Sequence, residues 1–320
     1  MKISSVDKKI GIIIINWNGL NDTLECLKSL SEDQYQNKII VVVDNKSSDN
    51  SPQIIKRKFS KVKIIKNQQN FGYAKATNIG IKKLFRESKD VDYVLILNND
   101  VVIKPGSIKK LIAKAESSKK IGIVSPKILD PEDKIDSLGV KVNFNNGTFL
   151  SIARGKPANT IIPKNKRKLE AIAGSCFLVK KEVFEKSGFI PEEYFFYFEE
   201  TDFCLQAKKS GYKIILEPKA VVCHKGGGSS NPEISTFSRY YFTRNMFIFM
   251  KKNAPKDKWR MFVVFGTSKI IWRIILNLGG ILIKGKPKRR FLWAKAYLRG
   301  VIDFWRGTTD RADYDWLSVN

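Results

Sequence analysis

Short runs of apolar, mostly branched residues recur along the first hundred residues, and each of them ends on polar side chains. The last of these runs, residues 93–97, is followed directly by Asn98, Asn99 and Asp100. Runs of this length are too short for helices and predict buried strands. In open α/β sheets, ligands bind just beyond the carboxyl ends of the strands. The stretch therefore predicts either a ligand site at Asp100 or an ordinary Asn/Asp turn after a strand.

The order of these runs predicts the fold class. Strand-like segments at residues 10–15, 39–43, 62–65 and 93–97 alternate with segments whose apolar residues recur at helical spacing. Strands that alternate with helices in this rhythm predict an α/β fold with a mostly parallel, doubly wound sheet. The carboxyl ends of parallel strands lie at one edge of the sheet, so we expect the polar side chains that follow them to share one site.

Two features of the loops limit which ligand this edge can bind: the phosphate-binding motifs that they lack and the acidic residues that they carry. No GxGxxG follows the first strand and no GxxxxGK[ST] occurs. The sequence therefore argues against a classical dinucleotide-binding site and against a P-loop. Asp44 and Asp100 would repel a diphosphate unless a cation lay between them, so a nucleotide here should arrive with Mg²⁺ or Mn²⁺. Asp44, after the second strand, either accepts a hydrogen bond from a base or ribose or caps the next helix.

A second set of acids lies further along the chain. Glu199, Glu200 and Asp202 follow an aromatic run, residues 194–198, and begin a predicted helix. Acids in a first helical turn are stabilised by the helix dipole, which is a purely structural explanation. Aromatic neighbours can also stack on a sugar and raise the pKa of a carboxyl group toward that of a general base. Both interpretations stay open at this stage.

The chain has one histidine, His224, which ends a predicted strand pair (residues 213–216 and 220–223) and precedes a glycine run. A single histidine is commonly a packed or surface residue, but glycine-rich loops often close over ligands. If a metal links these parts, Asp100 and His224 are its natural protein ligands, with diphosphate and water completing the shell.

Charge and cysteine usage indicate where the protein works. The 320-residue chain carries a formal net charge of +27, which favours an anionic partner, either a membrane surface or nucleic acid. No nucleic-acid-binding module is recognisable. The N-terminal residues hold no apolar core of the signal-peptide type, and the four cysteines form no CxxC pair. These features predict reduced thiols and a cytoplasmic location.

The last 70 residues are basic, with sixteen Lys and Arg against five Asp. Residues 261–283 are strongly apolar but carry Lys269, Arg273 and Asn277 at four-residue spacing, and a basic run, residues 284–290, follows. Cations near mid-length disfavour a membrane-spanning helix. The pattern predicts an amphipathic helix lying in the plane of an anionic leaflet, or a helix packed on the protein's own core.

Taken in order, these motifs resemble those of inverting family 2 glycosyltransferases of the GT-A fold, of the bacterial or archaeal rhamnosyltransferase type. The resemblance covers residues 9–250 and rests on seven stretches. They are Ile14-Ile15-Asn16-Trp17-Asn18, Val43-Asp44-Asn45-Lys46-Ser47-Ser48-Asp49, Asn70-Phe71-Gly72 with Asn78-Ile79-Gly80, Leu97-Asn98-Asn99-Asp100, Gly174-Ser175-Cys176, residues 199–202, and His224.

The resemblance implies roles for individual residues. It assigns Asp44 to the nucleotide base, Asn99 to the ribose and Asp100 to the metal, in a motif that lacks its usual first carboxylate. That departure gives His224 more weight as a ligand. Glu200 is favoured as the catalytic base, with Glu199 and Asp202 as the other acids of the cluster. The expected nucleotide-binding residues are Asn16, Trp17, Asn18, Asp44, Asn70, Gly72, Asn98 and Asn99.

The expected function is metal-dependent, inverting transfer of a sugar from a nucleotide-diphosphate sugar, dTDP-rhamnose or a UDP-hexose. The acceptor would be a hydroxyl of a glycan or lipid-linked molecule in cell-surface polysaccharide synthesis. We expect residues 1–250 to form the catalytic domain, with a nucleotide-sugar half (9–125) and an acceptor half (126–250), and residues 251–320 to form a basic amphipathic tail at the cytoplasmic membrane face. The alternatives are a sugar-phosphate nucleotidyltransferase and a nucleic-acid-binding protein.

Overall fold

The structure, a computed structural model, describes residues 8–226, 236–284 and 287–317, with the side chains of residues 281–284 and 315 excepted. The strands are β1 (Ile10–Asn16), β2 (Lys38–Asp44), β3 (Lys63–Lys66), β4 (Tyr93–Asn98), β5 (Val101–Ile103), β6 (Ile121–Leu129), β7 (Ile135–Ser137), β8 (Val140–Asn143), β9 (Thr148–Ser151), β10 (Cys176–Lys180) and β11 (Lys213–His224). The helices are α1 (Leu20–Glu32), α2 (Ser51–Lys58), α3 (Gly72–Glu87), α4 (Ser107–Glu116), α5 (Lys181–Ser187), α6 (Glu199–Lys209), α7 (Thr236–Asn253), α8 (Lys256–Lys284) and α9 (Pro287–Trp305).

The N-terminal half of the main sheet is parallel, as the alternation of strands and helices predicts. Its strands lie in the order β3-β2-β1-β4, and all three pairings are parallel. Asn16 pairs with Asp44, and Ile15 pairs with Asn98. The polar ends of β1, β2 and β4 therefore lie side by side, so the expectation of one shared edge is confirmed.

Beyond β4 the sheet is mixed, and two features differ from the sequence prediction. β10 runs antiparallel between β4 and β6, while β11 is parallel to β6 and antiparallel to β5. The strand pair predicted for residues 213–223 is wrong: β11 is one strand with a bulge between Glu217 and Val221. Pro218 lies in this bulge, where its missing backbone N–H costs no ladder hydrogen bond.

The short strand β5 has no clear signal in the sequence because it has only three residues. Its pairing with β11 places His224 opposite Val101, the residue after Asp100. The less regular segment between β6 and β10, called the excursion below, contains a hairpin formed by β8 and β9, and its first strand, β7, pairs with β6.

Helices cover both faces of the sheet because alternate strand residues point to opposite sides. Ile13, Val94 and Ile96 pack with α3, α5 and α6 on one face. Leu95 and Leu97 pack with α1, α2 and α4 on the other. The sheet is therefore held rigidly between two apolar layers, and the loops at its edge inherit that rigidity.

The C-terminal helices join an aromatic cluster with the run that precedes α6. Phe247 and Phe249 of α7, Phe262 of α8 and Phe304 of α9 are buried together with Phe198. The boundary expected between residues 250 and 251 lies inside α7. The division into a catalytic domain and a tail stays a prediction.

Candidate active site

The ends of β1 and β2 are joined by a buried hydrogen-bond network. The Asn16 amide donates to Asp44 Oδ1 and to Ser51 Oγ, each at 2.8 Å. Asp44 Oδ2 accepts from the backbone N–H of Ser47 at 3.0 Å. The position before helix α2 is occupied by Asn50, so Asp44 shapes the turn at the strand end and does not cap that helix. Its nucleotide role stays a prediction.

The loop after β1 rests on the loop after β2. Asn18 is in the left-handed region, with φ 50°, and its side-chain oxygen accepts from the N–H of Ser48 at 2.7 Å. The Trp17 side chain is 43% exposed. This arrangement leaves an aromatic surface beside the edge of the sheet where a base or a sugar could stack.

The Asn98–Asp100 turn is held on both sides. The N–H of Asn98 donates to the carbonyl of Ser175 at 2.9 Å. The Asn99 amide donates to Thr23 Oγ1 at 3.1 Å and to the Gly19 carbonyl at 3.3 Å, both in the first turn of α1. Asn99 therefore ties this turn to α1, and its predicted contact with ribose stays a prediction.

The loop before α3 joins the nucleotide half to the aromatic run. Gly72 has φ +77°, and a Cβ there would lie 2.4 Å from the carbonyl oxygen of Phe195. The N–H of Gly72 donates to Asn70 Oδ1 at 2.9 Å, and the N–H of Tyr73 donates to the Phe195 carbonyl at 3.0 Å. Only glycine fits both the conformation and the space at this position. Asn70 therefore shapes this loop, and Gly72 and Tyr73 fasten it to the aromatic run.

Asp100 and His224 are brought together, as the sequence predicts. His224 Nε2 lies 3.4 Å from Asp100 Oδ2, and Nδ1 lies 3.1 Å from Asp136 Oδ2. Burial by itself lowers the pKa of His224, but the neighbouring Asp100 and Asp136 carboxylates outweigh it and raise the pKa to about 9. His224 in turn holds the pKa of Asp136 below its usual value, against the opposing effect of burial.

This arrangement has the chemistry of a cation site. Nε2 of His224 is buried and faces Asp100 Oδ2 at 3.4 Å, without a well-aligned hydrogen bond in the described residues. A histidine that ligates a metal commonly bonds a carboxylate through its other nitrogen, the relation that Asp136 has to Nδ1. The described residues contain no group of three or more His, Cys, Asp or Glu side chains arranged to hold a metal alone. Asp100 and His224 therefore suit a divalent ion whose remaining ligands are oxygens of a diphosphate.

Sequence reasoning missed Asp136, which lies on β7 in the irregular excursion. A lone Asp on a three-residue strand carries no local signal, and its link to His224 spans 88 residues. The glycine run after His224 lies largely outside the described residues. Lys225, before it, forms ion pairs with Asp22 at 2.8 Å and with Glu25 at 2.6 Å, which fasten the end of β11 to α1.

The acid cluster begins α6 after two unusual residues. Tyr197 and Phe198 have φ values of 73° and 80°, a left-handed conformation that non-glycine residues rarely adopt. Glu199 is buried, and its Oε2 has no hydrogen-bond partner in the described part of the chain. Burial and the nearby Glu200 carboxylate raise the pKa of Glu199 well above its usual value. Burial raises the pKa of Glu200, which is half-buried, to about 7.

Asp202, the third acid, is engaged on all sides. It is fully buried and accepts from the Tyr194 hydroxyl and from the Asn253 amide, each at 3.0 Å. Lys252 Nζ lies 2.7 Å from Asp202 Oδ2, the oxygen that also accepts from Tyr194. These partners connect α6 to α7 and are those of a buried structural carboxylate.

The aromatic run is mostly core, and the expected sugar-stacking platform is corrected accordingly. Tyr194, Phe195 and Phe198 are buried, with Phe195 stacked on Tyr241 of α7 at 5.1 Å. Only Phe196 and Tyr197, the third and fourth members of the run, are half-buried. The sequence could not show this because the covering helix lies some 45 residues further along.

A short segment before β10 links the two sides of the site. The Ser175 carbonyl accepts from Asn98, while a Cβ on Gly174 would lie 3.2 Å from Cδ of Glu200. Ser175 Oγ is buried and has no hydrogen-bond partner in the described ranges. The Tyr73 hydroxyl donates to the Gly174 carbonyl at 3.0 Å. The Asn98–Asp100 turn and Glu200 therefore contact the same short segment.

Comparison with known proteins agrees with this geometry. The sequence profile of glycosyl transferase family 2 matches residues 11–188, more than half of the chain. The chain belongs to this family. The family 2 resemblance seen in the motifs is thereby confirmed.

Three relatives illustrate what this family 2 chain is similar to. The low-salt glycan biosynthesis hexosyltransferase Agl10 of Haloferax volcanii is 31% identical, over 89% of this chain and 85% of the relative. The dTDP-rhamnosyl transferase RfbF of Shigella flexneri is 26% identical, over 97% of this chain and 100% of the relative. An N-acetylglucosaminyl-diphospho-decaprenol L-rhamnosyltransferase of Mycobacterium tuberculosis is 27% identical over 58% of this chain, and the matched part spans 66% of that relative's length.

Solved structures establish the fold. A mannosyltransferase of Pyrobaculum calidifontis, solved with GDP-mannose and Mn²⁺, superposes with a TM-score of 0.58 at 13% identity. The match covers 94% of this chain and 88% of that one. The α/β, GT-A architecture is confirmed, and the chain is a family 2 glycosyltransferase of that fold.

Proposed function

We propose that this glycosyltransferase transfers a hexosyl or rhamnosyl group from a nucleotide-diphosphate sugar to a hydroxyl of a glycan or lipid-linked acceptor, with inversion. The donor would be dTDP-rhamnose or a UDP-hexose, and the product would enter a cell-surface polysaccharide. The observation that carries the proposal is a pair of buried side-chain oxygens without hydrogen-bond partners in the described residues. They are Ser175 Oγ, on the segment that contacts Asn98 and Glu200, and Glu199 Oε2, in the residue next to Glu200. Buried polar atoms ordinarily have partners, so we infer that substrate supplies them.

On the donor side, Asp100 Oδ2 and His224 Nε2 would hold Mg²⁺ or Mn²⁺. Asp136 would keep the ring of His224 oriented through Nδ1. A bound divalent cation neutralises charge on the diphosphate as it leaves. We assign the base and ribose to the edge that holds Asn16, Asp44, Asn98 and Asn99, with Trp17 as an exposed aromatic surface and Asn18, Asn70 and Gly72 shaping the loops around it.

On the acceptor side, Glu200 would be the general base. Glu200 is half-buried beside Gly174, and burial raises its pKa to about 7, so its carboxyl group can be ionised and can also take a proton near neutral pH. Glu199 is buried, and burial together with the Glu200 carboxylate raises its pKa well above the usual value, which disfavours its ionised form; we therefore assign proton removal to Glu200.

The proposed step is a single displacement. The acceptor hydroxyl oxygen attacks the anomeric carbon while its proton passes to Glu200. The bond between the anomeric carbon and the diphosphate oxygen breaks, and its electron pair leaves with the diphosphate. Attack from the opposite face inverts the configuration, and holding both substrates in line supplies much of the rate.

We assign Asp202 a positioning role. It is fully buried, and its oxygens already accept from Tyr194 and Asn253 and face Lys252, so we do not assign it the acceptor proton. Its contribution is to anchor the first turn of α6, on which Glu200 lies.

The proposed location is the cytoplasmic face of a membrane, near a lipid-linked acceptor, with the anionic lipid surface as a partner. The net charge of +27 supports this. No observation favours a nucleotidyltransferase or a nucleic-acid-binding protein over sugar transfer, because the family match is to glycosyltransferases.

The experiment is a screen of nucleotide sugars for hydrolysis and transfer, with and without Mn²⁺, on the unmodified enzyme and on Asp100→Asn. We expect turnover with one donor class that depends on a divalent ion, and its loss in the variant. Asp133→Asn, at an exposed turn, removes the same charge and serves as the matched control. Full activity of Asp100→Asn in EDTA would contradict the metal-assisted reaction.

A further inference from the structure

Helix α8 presents a long apolar face to the outside of the protein. Of the fourteen large apolar side chains that are exposed in the described residues, eight belong to α8 and three to α9. Those on α8 are Met261, Val264, Phe265, Ile271, Trp272, Ile275, Leu276 and Leu278. At about 100° per residue they occupy roughly 160° of the helix circumference. We call these eight residues the outer face of α8.

The opposite side of α8 is packed on the protein. Phe262 and Ile270 are buried in the cluster formed with α7 and α9. The guanidinium of Arg273 lies 5.6 Å from the ring centre of Tyr297 on α9, and the Asn277 amide donates to the Arg273 carbonyl at 2.7 Å. Arg273 belongs to the polar stripe of the sequence, but its guanidinium faces α9, and the exposed apolar residues of α8 point outward.

This packing decides between two ways of meeting a membrane. Residues Lys256–Gly280 are long and apolar enough to cross a bilayer, with a mean hydropathy of 1.5. A crossing helix, however, would carry its packed partner α9 with it, and α9 bears Arg289, Lys295 and Arg299. Cations at that depth are costly. A helix that lies in the plane of the membrane with its apolar half in lipid and its other half on protein has no such cost.

Charge argues for lipid as the occupant of the outer face and against a second copy of the chain. Two copies, each with a net charge of +27, repel one another, whereas an anionic leaflet attracts each of them. By helical position, Arg260 and Lys269 flank the outer face on its two sides, where cations meet lipid headgroups.

We propose that the outer face of α8 inserts, in the plane of the membrane, into the headgroup and upper acyl region of an anionic bilayer. This refines the membrane location given under the proposed function, but it is independent of the donor and of the reaction. Apolar burial supplies the depth of insertion, and the flanking cations supply the preference for anionic lipid.

The first test is co-sedimentation of the full chain with vesicles of phosphatidylcholine and phosphatidylglycerol. The variant Phe265→Ser/Trp272→Ser/Leu276→Ser removes three side chains that are 58%, 59% and 52% exposed. We expect its partition to fall on the order of 100-fold, because each removes apolar area from lipid. The control, Leu150→Ser/Ile161→Ser, removes exposed apolar side chains elsewhere and should bind like the unmodified chain. High salt should weaken binding without abolishing it.

The second test reports depth. Lipids brominated in the upper acyl chain should quench tryptophan fluorescence of the unmodified protein, and Trp272→Phe should lose most of that quenching while still sedimenting. Depth-independent quenching, or extraction only by detergent, would overturn in-plane insertion.

Other outcomes overturn the proposal differently. Equal binding by the serine variant would place the contact elsewhere. A dimer of the unmodified chain that the serine variant abolishes, without vesicle binding by either, would make the outer face a self-association surface. Sugar transfer to a soluble acceptor should survive in the serine variant. If no variant transfers sugar but the binding pattern holds, the proposed function fails and this inference stands.

Discussion

At the scale of residues, the two adjacent acids at the start of α6 have different surroundings. Glu199 is buried with an unpartnered oxygen, whereas Glu200 is half-buried against Gly174. Both carboxyl groups have raised pKa values because burial disfavours their charged forms. Like charges this close do not ionise together readily, so one member is expected to be ionised at neutral pH. The more exposed one, Glu200, is the better candidate.

Glu200→Gln should keep the shape of the site and remove the base. Transfer should fall roughly 10²–10⁴-fold while donor binding persists. The measurement is kcat together with donor affinity by calorimetry, with Glu199→Gln as the comparison. If the loss appears in Glu199→Gln and not in Glu200→Gln, the neighbour is the base.

The pKa of the Glu200 carboxyl group predicts how kcat/KM depends on pH. A base works in its ionised form, and the pKa of Glu200 is raised from its ordinary value to about 7. Below that pH the group is protonated and inactive, so kcat/KM should rise through about pH 7 and level off above it. In Glu200→Gln the residual rate should lose this limb. A profile that is flat between pH 5 and 8 would contradict the assignment.

The contact between Asp136 and His224 predicts that a substitution of Asp136 changes metal affinity, although Asp136 is not expected to touch the substrate. Asp136→Asn should lower Mn²⁺ affinity about 10–100-fold, because it weakens the hold on Nδ1 of His224. Affinity can be followed by paramagnetic resonance of free Mn²⁺ with nucleoside diphosphate present. Asp133→Asn, three residues earlier and exposed, should change nothing. Unchanged affinity in Asp136→Asn would reduce Asp136 to a packing residue.

At the scale of elements, the loop between β3 and α3 fastens the nucleotide half to the run that precedes α6. Two contacts do this: the Phe195 carbonyl accepts from Tyr73 and lies against the backbone of Gly72. Because the run turns through two left-handed residues before reaching Glu199, its position depends on this attachment. The placement of Glu200 is thus set by a loop more than a hundred residues away.

Gly72→Ala tests this attachment. The left-handed φ costs about 1–2 kcal/mol for alanine, and the added Cβ would also meet the Phe195 carbonyl. Gly106→Ala is the matched control, since Gly106 has φ +75° with nothing within 4 Å. We expect Gly72→Ala to lower the free energy of unfolding by at least about 1 kcal/mol more than the control does, in urea titrations. Equal losses would mean that the contact with Phe195 yields easily.

At the scale of the whole molecule, the site is assembled from parts that are distant in the chain. Asp100 and His224 belong to different halves, and Asp136 comes from the excursion between them. A cation bound there would connect β5, β7 and β11. A ligand that binds only the folded state stabilises that state. If the metal and the nucleotide bind one shared site, the two together should raise the free energy of unfolding by more than either alone.

Nucleoside diphosphate with Mn²⁺ should therefore raise Tm by more than either alone. At about 100 times the dissociation constant, a ligand adds about 2.7 kcal/mol, which corresponds to several degrees in Tm. The measurement is differential scanning fluorimetry with EDTA as the blank. In Asp100→Asn the Mn²⁺-dependent part should disappear. An equal rise with nucleotide in EDTA would show that the nucleotide binds without the cation.

Local patterns in the sequence were enough to predict the parallel N-terminal half of the sheet and the edge at which its polar residues meet. The spacing of apolar residues along the chain indicates buried strands and amphipathic helices, because each element buries one face or stripe. Parallel strands then place their carboxyl ends at the same edge. The sequence also indicated Asp100, His224 and the acids of α6. Their types and places at element ends are local features, and the structure brings Asp100 and His224 within 3.4 Å.

The tertiary structure alone decided which partners these groups have. Asp136 meets His224 through the pairing of short strands, Asp202 is engaged by α7, and the aromatic run is covered by the same helix. Such contacts join residues far apart in the chain, and no local pattern encodes them. The orientation of α8 is of the same kind. Its sequence contains an apolar arc and a polar stripe, and only packing against α9 settled that the arc faces outward.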